Sequence, residues 1–506
     1  MRGAGRVGTA ASAARRPQVL LALGVVVAVA AFHSWITPTN PPGFHRDEAS
    51  LAYNAYSLST SLRDEDGAFL PLFFRSFGDY KSPLYPYVLA GVFALTGPSA
   101  QVARGLSAAL VLAAVLLLGL LALRLTGSAP AATAVVALAG LTPWLFELGR
   151  VALEASTQPL LITLLLLSLL RTVRRGRWSV ADGAAAGVLL GLLTYSYTGS
   201  RLLGPLLAAA LAVFAGPGRG RWLLSAWGTF AGLLVPAGVY ALRHPGALTA
   251  RYEATTIAGE GASLPAVVGQ AVSNWAHDLN LWHWATSGDP APYIHVYGYG
   301  SIFLGTAGLA LAGAAHVLVR CRGDLWWRYV LLATLLVPVP AALTVDRFNA
   351  IRLAALPVLL SVLAIPALAS LLALARGRWA ARAALAVLAL SVGVQLGQFL
   401  DQYRYRGPAR TVLFDAGVGP LLERAFAGGQ VVYTDYDDRG AQAQARWHAA
   451  EAGLPRDRVV VLPDGGVPPV GATVFLRFQE CDFACEEIAR WEDYRVLRAV
   501  GPPPTP

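Results

Sequence analysis

Lys81-Ser82-Pro83-Leu84-Tyr85-Pro86-Tyr87-Val88-Leu89-Ala90-Gly91-Val92-Phe93-Ala94-Leu95 is the stretch on which the topology of this chain turns. Residues 84–95 are apolar but few, since a helix needs about 17–25 residues to cross a bilayer. Their length and Pro86 favour an interfacial or re-entrant helix. The arginines test this independently. If 84–95 stays on one side, Arg124 and the clusters Arg171/Arg174/Arg175/Arg177, Arg219/Arg221, Arg320/Arg322/Arg328 and Arg376/Arg378/Arg382 all fall on the side of Arg2, Arg6, Arg15 and Arg16. If it crosses, every later cluster moves to the opposite side. The positive-inside rule selects the first arrangement, with the N-terminus in the cytoplasm.

Composition supports a membrane reading. With 506 residues, 55% hydrophobic and 14% charged, the chain has too few charges to solvate a globular surface. Its mean hydropathy is +0.51. The net charge of +10 lies in short clusters between apolar runs, with no basic face interleaved with aromatics, so nucleic acid is not an expected partner. Membrane-length runs are expected at 19–36, 101–123, 129–148, 156–171, 180–197, 201–216, 222–242, 298–320, 327–345, 353–374 and 379–400, about 11 spans in all. The first is read as a retained span because it lacks a clear small-residue cleavage site. The chain is therefore expected to be multi-pass in the plasma membrane, with external loops at 38–100 and 243–297 and residues 401–506 outside.

Polar residues then collect on the external face. They comprise Asp47 and Glu48, Asp79 and Lys81, Glu147, Arg150 and Glu154, the 195–201 turn, and Asp346, Arg347 and Arg352. Each alone reads as a capping or snorkelling residue, but together they suit group transfer from an anionic lipid carrier. A lipid phosphate needs cations, for which Lys81, Arg150, Arg347 and Arg352 are candidates. A hydroxyl or amine acceptor needs a carboxylate base, for which Asp47 is the candidate. Glu48 can orient the acceptor or help bind a divalent metal ion.

The sequence Phe44-His45-Arg46-Asp47-Glu48-Ala49, followed by Gly78-Asp79-Tyr80-Lys81-Ser82-Pro83-Leu84-Tyr85, resembles the first external loop of bacterial GT-C glycosyltransferases. The relatives in question are the protein O-mannosyltransferases and the lipid A aminoarabinose transferase. Similarity continues through Arg104, Arg150 with Glu154, Tyr195-Ser196-Tyr197 with Arg201, Gly288-Asp289 with His295, and Asn349-Ala350-Ile351-Arg352. The resemblance implies a polyprenyl-phosphate-linked sugar donor, inversion at the anomeric carbon, Asp47 as the catalytic acidic residue and Lys81 as a carrier-phosphate contact. It also places Asp79, Tyr85, Glu154, Tyr197, Arg201, Asp289 and His295 among the substrate-binding candidates. The chain departs from the pattern at Ser82-Pro83, where relatives often carry two prolines, and at Glu154, a site often given to Asp.

The loop 243–297 and the residues just after it are rich in Trp, His and Tyr, which suits sugar rings and equally the bilayer interface. His277, Asp278 and His283 form a weak metal set, with no strong ligand spacing. No organic cofactor is called for. From residue 401 the composition becomes more charged. Short apolar runs at 431–434, 459–462 and 474–476, with a helix over 439–453 between the first two, read as a small α/β domain. Cys481 and Cys485 lie four apart in this external tail and are expected to form a disulfide, whereas Cys321 sits among cytoplasmic arginines.

These readings give an all-α polytopic GT-C-type membrane domain over 1–400, with interfacial helices in the first external loop, followed by an α/β domain over 401–506. The expected activity is inverting sugar transfer from a polyprenyl-phosphate donor to a protein, lipid or glycan acceptor. A transporter or lipid flippase is the alternative, although transporters place their charges nearer the bilayer midplane.

Overall fold

The computed structural model describes residues 5–35, 39–259, 261–478, 481 and 483–501, with the side chains of 5–16 and 428 excepted. Arg2, and the side chains of Arg6, Arg15 and Arg16, fall outside this description. The first half contains α1 (Gly5–Ser34), α2 (Arg46–Ser61), a hairpin of β1 (Phe74–Ser76) and β2 (Asp79–Lys81), α3 (Leu84–Thr96), α4 (Ala100–Thr126), α5 (Ala129–Leu141), α6 (Pro143–Leu148), α7 (Gln158–Arg175), α8 (Val180–Thr194), α9 (Ser200–Ala210) and α10 (Gly220–Arg243). The second half adds α11 (Ala250–Glu253), α12 (Leu264–Asp278), α13 (Leu281–Thr286), α14 (Leu304–Arg320), α15 (Leu325–Leu336), α16 (Val339–Ala342), α17 (Leu356–Leu374) and α18 (Trp379–Arg406).

Among the described residues, seven helical segments are long and apolar enough to cross a membrane, and five shorter apolar helices accompany them. Each expected span has a helical counterpart. Two are broken at prolines: 129–148 divides into α5 and α6 at Pro143, and 327–345 into α15 and α16 around Pro338. A proline lacks the N–H needed to continue the ladder, so a break there is inexpensive. The span expected from 298 begins only at Leu304. The last helix runs to Arg406, so the boundary drawn at 400/401 falls inside α18.

The decisive segment folds as α3 and stays at one end of the bundle. At its start, Leu84 N donates to Tyr195 O in the turn between α8 and α9 (3.3 Å). At its other end, Phe93 packs on Trp447 of the C-terminal segment, and Ala100 N donates to Glu451 there (2.8 Å). Both ends of α3 thus meet parts of the chain that lie on the same side. We call this the loop end, and the opposite one, carrying Arg124 and the clusters at 171–177, 219–221, 320–328 and 376–382, the arginine end.

Beyond α18 come α19 (Val418–Phe426), β3 (Val432–Thr434), α20 (Arg439–Glu451), β4 (Val459–Val461), β5 (Thr473–Arg477), β6 (Ala484–Trp491) and β7 (Tyr494–Gly501). The five strands form one sheet in the order β4-β3-β5-β7-β6, parallel from β4 to β5 and antiparallel thereafter. The parallel half and α20 follow the apolar runs of the sequence. The β6–β7 hairpin is an addition to the expected domain. Its edge strand carries the exposed charges Glu486, Glu487 and Arg490, a pattern that protects a sheet edge and leaves no apolar run in the sequence. The structure joins Cys481 to Cys485 at the start of this hairpin.

The domain is not a free appendage. Its Trp447, fully buried, inserts between Phe44 and Phe93 of the first long loop, with ring centroids at 5.0 and 6.0 Å. Arg446 pairs with Glu65 (3.3 Å) and Arg439 with Asp66 (2.8 Å) around that contact.

Candidate active site

The first turn of α2 carries both acidic residues, and its hydrogen bonds send them in opposite directions. The first N–H groups of a helix lack intrahelical partners. Here His45 is the N-cap: its Nδ1 accepts from Asp47 N (3.1 Å), while Glu48 Oε2 accepts from His45 N (3.1 Å), a capping box. Glu48 is thereby turned inward, with no exposed surface, and also accepts from Arg104 Nε (2.9 Å), Arg104 Nη2 (2.8 Å) and Ala152 N (2.8 Å). Four bonds occupy its lone pairs, and it does not reach the cavity. This corrects the assignment of Glu48 to the acceptor or a metal.

Asp47, one residue earlier, points the other way. It lines a cavity of ≈ 670 Å³ at the loop end, and its side chain is 32% exposed. Lys81 Nζ, delivered by the end of β2, lies 3.5 Å from Asp47 Oδ1 and 3.6 Å from Asp79 Oδ1. Burial alone would raise the Asp47 pKa, but the Lys81 ammonium, with His45 and Arg46 beside it, holds the carboxyl below the usual range. Burial would likewise discharge Lys81, yet Asp47, Asp79 and Glu154 around it raise its pKa and keep it protonated. The position on which these carboxylates converge is therefore already filled by a cation of the chain itself.

Glu154 also faces the cavity and accepts from Ser82 N (3.0 Å), which ties it to the lysine-bearing loop. Arg201 lies across the cavity wall with its guanidinium over the Phe73 ring (4.9 Å), donating to Leu248 O (3.1 Å) and to Tyr80 O. Arg352 comes from the segment before α17, paired to Asp346 (2.8 Å) and bonded to Thr344 Oγ1. Tyr197 also belongs to the polar lining. One flank is apolar, formed by Leu234, Ala237, Gly238 and Ala241 of α10 with Leu202 and Leu343. The long helix α10 is only 22% buried, so this wall belongs to an element that faces outward from the bundle.

Other candidates lie elsewhere. Arg150 is 2% exposed, donates to Phe32 O (2.7 Å) and His33 O (2.9 Å), and sits over the Phe146 ring (4.2 Å). It anchors the end of α1 and is not placed to meet a phosphate. Arg347 donates to Asn274 Oδ1 (2.8 Å) and is outside the cavity lining. Tyr85 is fully buried, donating to Ala103 O (2.8 Å) with Ser107 Oγ at 3.0 Å, and fastens α3 to α4. Asp289 accepts from Ala291 N and Ala350 N (both 2.7 Å). His295 is bonded to Glu147 and, through Nε2, to Tyr299 O (2.6 Å). These last two are buried braces of the long loop and line no part of the cavity.

For the weak metal set, His277 Nδ1 is bonded to Ser273 O (2.6 Å), and His283 Nε2 to Gly288 O (2.9 Å). Among the described residues no group of three or more His, Cys, Asp or Glu converges as metal ligands. Sequence reasoning missed Arg251 on α11, half-exposed at the cavity and 3.7 Å from Asp79, whereas Tyr293, one of the aromatics of the long loop, does line the cavity, its ring 4.3 Å from that of His45. Arg251 is legible as a cation in the long loop, but its approach to Asp79, 172 residues earlier, is a tertiary contact that no local spacing signals.

The architecture is similar to that of ArnT from Cupriavidus metallidurans bound to undecaprenyl phosphate, with a TM-score of 0.60 at 14% identity, covering 95% of this chain and 97% of that one. The chain shares the fold of ArnT. The same ArnT in the apo state matches at a TM-score of 0.59 and 15% identity, over 96% of this chain and 98% of the other. A third match is the oligosaccharyltransferase AglB from Archaeoglobus fulgidus, in complex with an inhibitory peptide and a dolichol-phosphate. It gives a TM-score of 0.50 at 12% identity, over 87% of this chain and 64% of AglB. In sequence, residues 80–241 match the dolichyl-phosphate-mannose-protein mannosyltransferase family. No curated protein matches significantly. The matched stretch includes Lys81, Glu154, Tyr197 and Arg201, and Asp47 lies outside it. The chain is a multi-pass membrane protein.

Proposed function

We propose that this chain transfers a sugar from a polyprenyl-phosphate-linked donor to a nucleophilic acceptor on the outer face of the plasma membrane, inverting the anomeric carbon, with Asp47 as general base. The observation that carries the reading is the pairing of Asp47 and Lys81 at 3.5 Å on the wall of a cavity with one apolar flank. A prenyl chain fits against the α10 flank, which opens toward lipid, and its phosphate meets Lys81, with Arg352, Arg201 and Arg251 as further cations. The acceptor oxygen or nitrogen attacks C1 of the sugar. Its bond to C1 forms as the C1–O bond to phosphate breaks, and its proton passes to Asp47. The departing polyprenyl phosphate keeps the bonding electron pair, and the cations neutralise that charge without donating a proton.

The pairing also gives the base a dependence on donor. An arriving phosphate competes with Asp47 for Lys81 and adds negative charge nearby, and both effects raise the basicity of the carboxylate. Asp47 is thus a weak base in the empty site and a better one once the donor is seated. Glu154 and Tyr197 are assigned to the sugar and Asp79 to holding Lys81. A divalent metal is not needed to neutralise the leaving group in this scheme. The arginine clusters at the opposite end support a cavity outside the cytoplasm, as the positive-inside rule expects.

The reading is tested by supplying purified protein with a panel of radiolabelled polyprenyl-phosphate sugars and an extract of envelope acceptors. Label should leave one donor class, with free polyprenyl phosphate formed in equal amount. Failure with every donor, or release of sugar phosphate by cleavage on the lipid side of the phosphate, would contradict it.

A further inference from the structure

We propose that the C-terminal domain is part of the catalytic apparatus, with Asp415 and Gln444 positioning Asp47 by fixing the backbone on which it stands. The inference rests on Asp47 being the base. In the first turn of α2, the N–H groups of His45 and Asp47 are satisfied within their own segment, by Glu48 and His45. The N–H between them, that of Arg46, is satisfied from 369 residues away: it donates to Asp415 Oδ2 (3.1 Å). A carboxylate at a helix N-terminus is favoured by both the free N–H groups and the helix dipole. Asp415 is 4% exposed, so its charge is committed to this task.

Gln444 of α20 closes the clamp. Its Nε2 donates to Asp415 Oδ2 (3.0 Å) and to Phe44 O (2.8 Å), so one amide grips the carboxylate and the residue preceding the N-cap. Just upstream the two backbones touch. Gly43 has φ +65, and a Cβ there would lie 2.4 Å from both Ala416 Cα and Phe414 O. No side chain fits, so residues 43–46 and 414–416 are seated directly on one another. On the opposite side the same turn is held by the Glu48 bonds to Arg104 and Ala152. Asp47 therefore stands on a backbone gripped between the membrane bundle and the C-terminal domain, which fixes its distance from Lys81. Positioning of this kind is kinetically costly to lose, because a misplacement of about 1 Å can cost roughly 100-fold in rate.

The test is a mutant cycle in the full-length protein. Asp415→Ala, Gln444→Ala and the isosteric Gln444→Glu, which keeps the packing but loses the donor, are each made alone and combined with Asp47→Asn. Glu487→Ala on the outer strand β6 serves as a surface control. Single-turnover transfer from a radiolabelled polyprenyl-phosphate sugar, donor KM and the thermal midpoint are measured for each. The expected result is a fall in turnover of about tenfold or more with donor KM nearly unchanged, for at least Gln444→Glu in folded protein. No further fall is expected in the Asp47→Asn background, and none for Glu487→Ala. Wild-type turnover in folded clamp variants, a loss confined to KM, or a loss that multiplies with that of Asp47→Asn would overturn the inference and leave the base assignment standing. Wild-type turnover in Asp47→Asn alone would remove the base assignment and this inference with it.

Discussion

Two sets of charged residues share the loop end of the molecule, and they satisfy their charges in different ways. Around the cavity, Lys81 sits 3.5 Å from Asp47 and 3.6 Å from Asp79, close enough to attract but too far for full hydrogen bonds, and Asp79 Oδ1 has no hydrogen-bond partner. In the surrounding scaffold, Glu48 meets Arg104 and two backbone amides, Asp289 meets two backbone amides, and Glu147 meets His295 and Val296 N. The scaffold set is saturated by the protein, and the cavity set keeps capacity for a ligand. That difference separates the site from its supports better than residue type does, since both sets contain Asp, Glu and basic partners.

The largest effect that can break this division is at Glu48. Glu48→Ala leaves the Arg104 guanidinium buried and unpaired, and thermal unfolding in detergent should show a loss of about 3–5 kcal/mol or failure to accumulate. A stable Glu48→Ala protein would erase the distinction. Next comes Lys81→Met. It should lower transfer by about 100-fold or more, because one preorganised cation is lost at the leaving group, and the protein should remain folded in the same assay.

A third test uses pH. Burial pushes the Asp289 carboxyl up to about 6, and Asp278 to about 6 for the same reason. Their folded pKa values lie above the unfolded one, so the stability they add is complete below about pH 4 and is lost as pH rises through about 6. The thermal midpoint should therefore fall between pH 5 and 7, less steeply in Asp289→Asn. Asp47 has the opposite sign. Its lowered pKa adds stability above the ordinary carboxylate range, which is lost only in stronger acid. The smallest effect is expected at Arg251, whose half-exposed contact with Asp79 spans 3.7 Å. Arg251→Ala should change stability by less than about 1 kcal/mol, whatever it does to donor KM.

Topology was legible because charge bias and segment length are one-dimensional: the placement of α3 at the loop end follows from the shortness of 84–95 and the run of arginines after it. The saturated partners were not legible. Whether Glu48 or Asp47 faces the cavity depends on Arg104, 56 residues further on, and on the Ala152 amide, neither of which the dipeptide itself reveals. Arg150 resembled a phosphate ligand by its position at a helix end, but backbone carbonyls of α1 had claimed it. The β6–β7 hairpin went unread because its charged edge lacks an apolar run. Its membership of the sheet comes from pairing with β5 through β7.

The most direct measurement is single-turnover sugar transfer by folded Asp47→Asn protein, set against the wild type at saturating polyprenyl-phosphate donor. If Asp47 is the base, the Asn variant should lose about 100-fold to 10,000-fold in rate, the range general-base catalysis contributes, with the thermal midpoint and donor binding close to wild type. Turnover equal to the wild type in the Asn variant would contradict it, and would leave the cavity-facing carboxylate without a role in proton transfer.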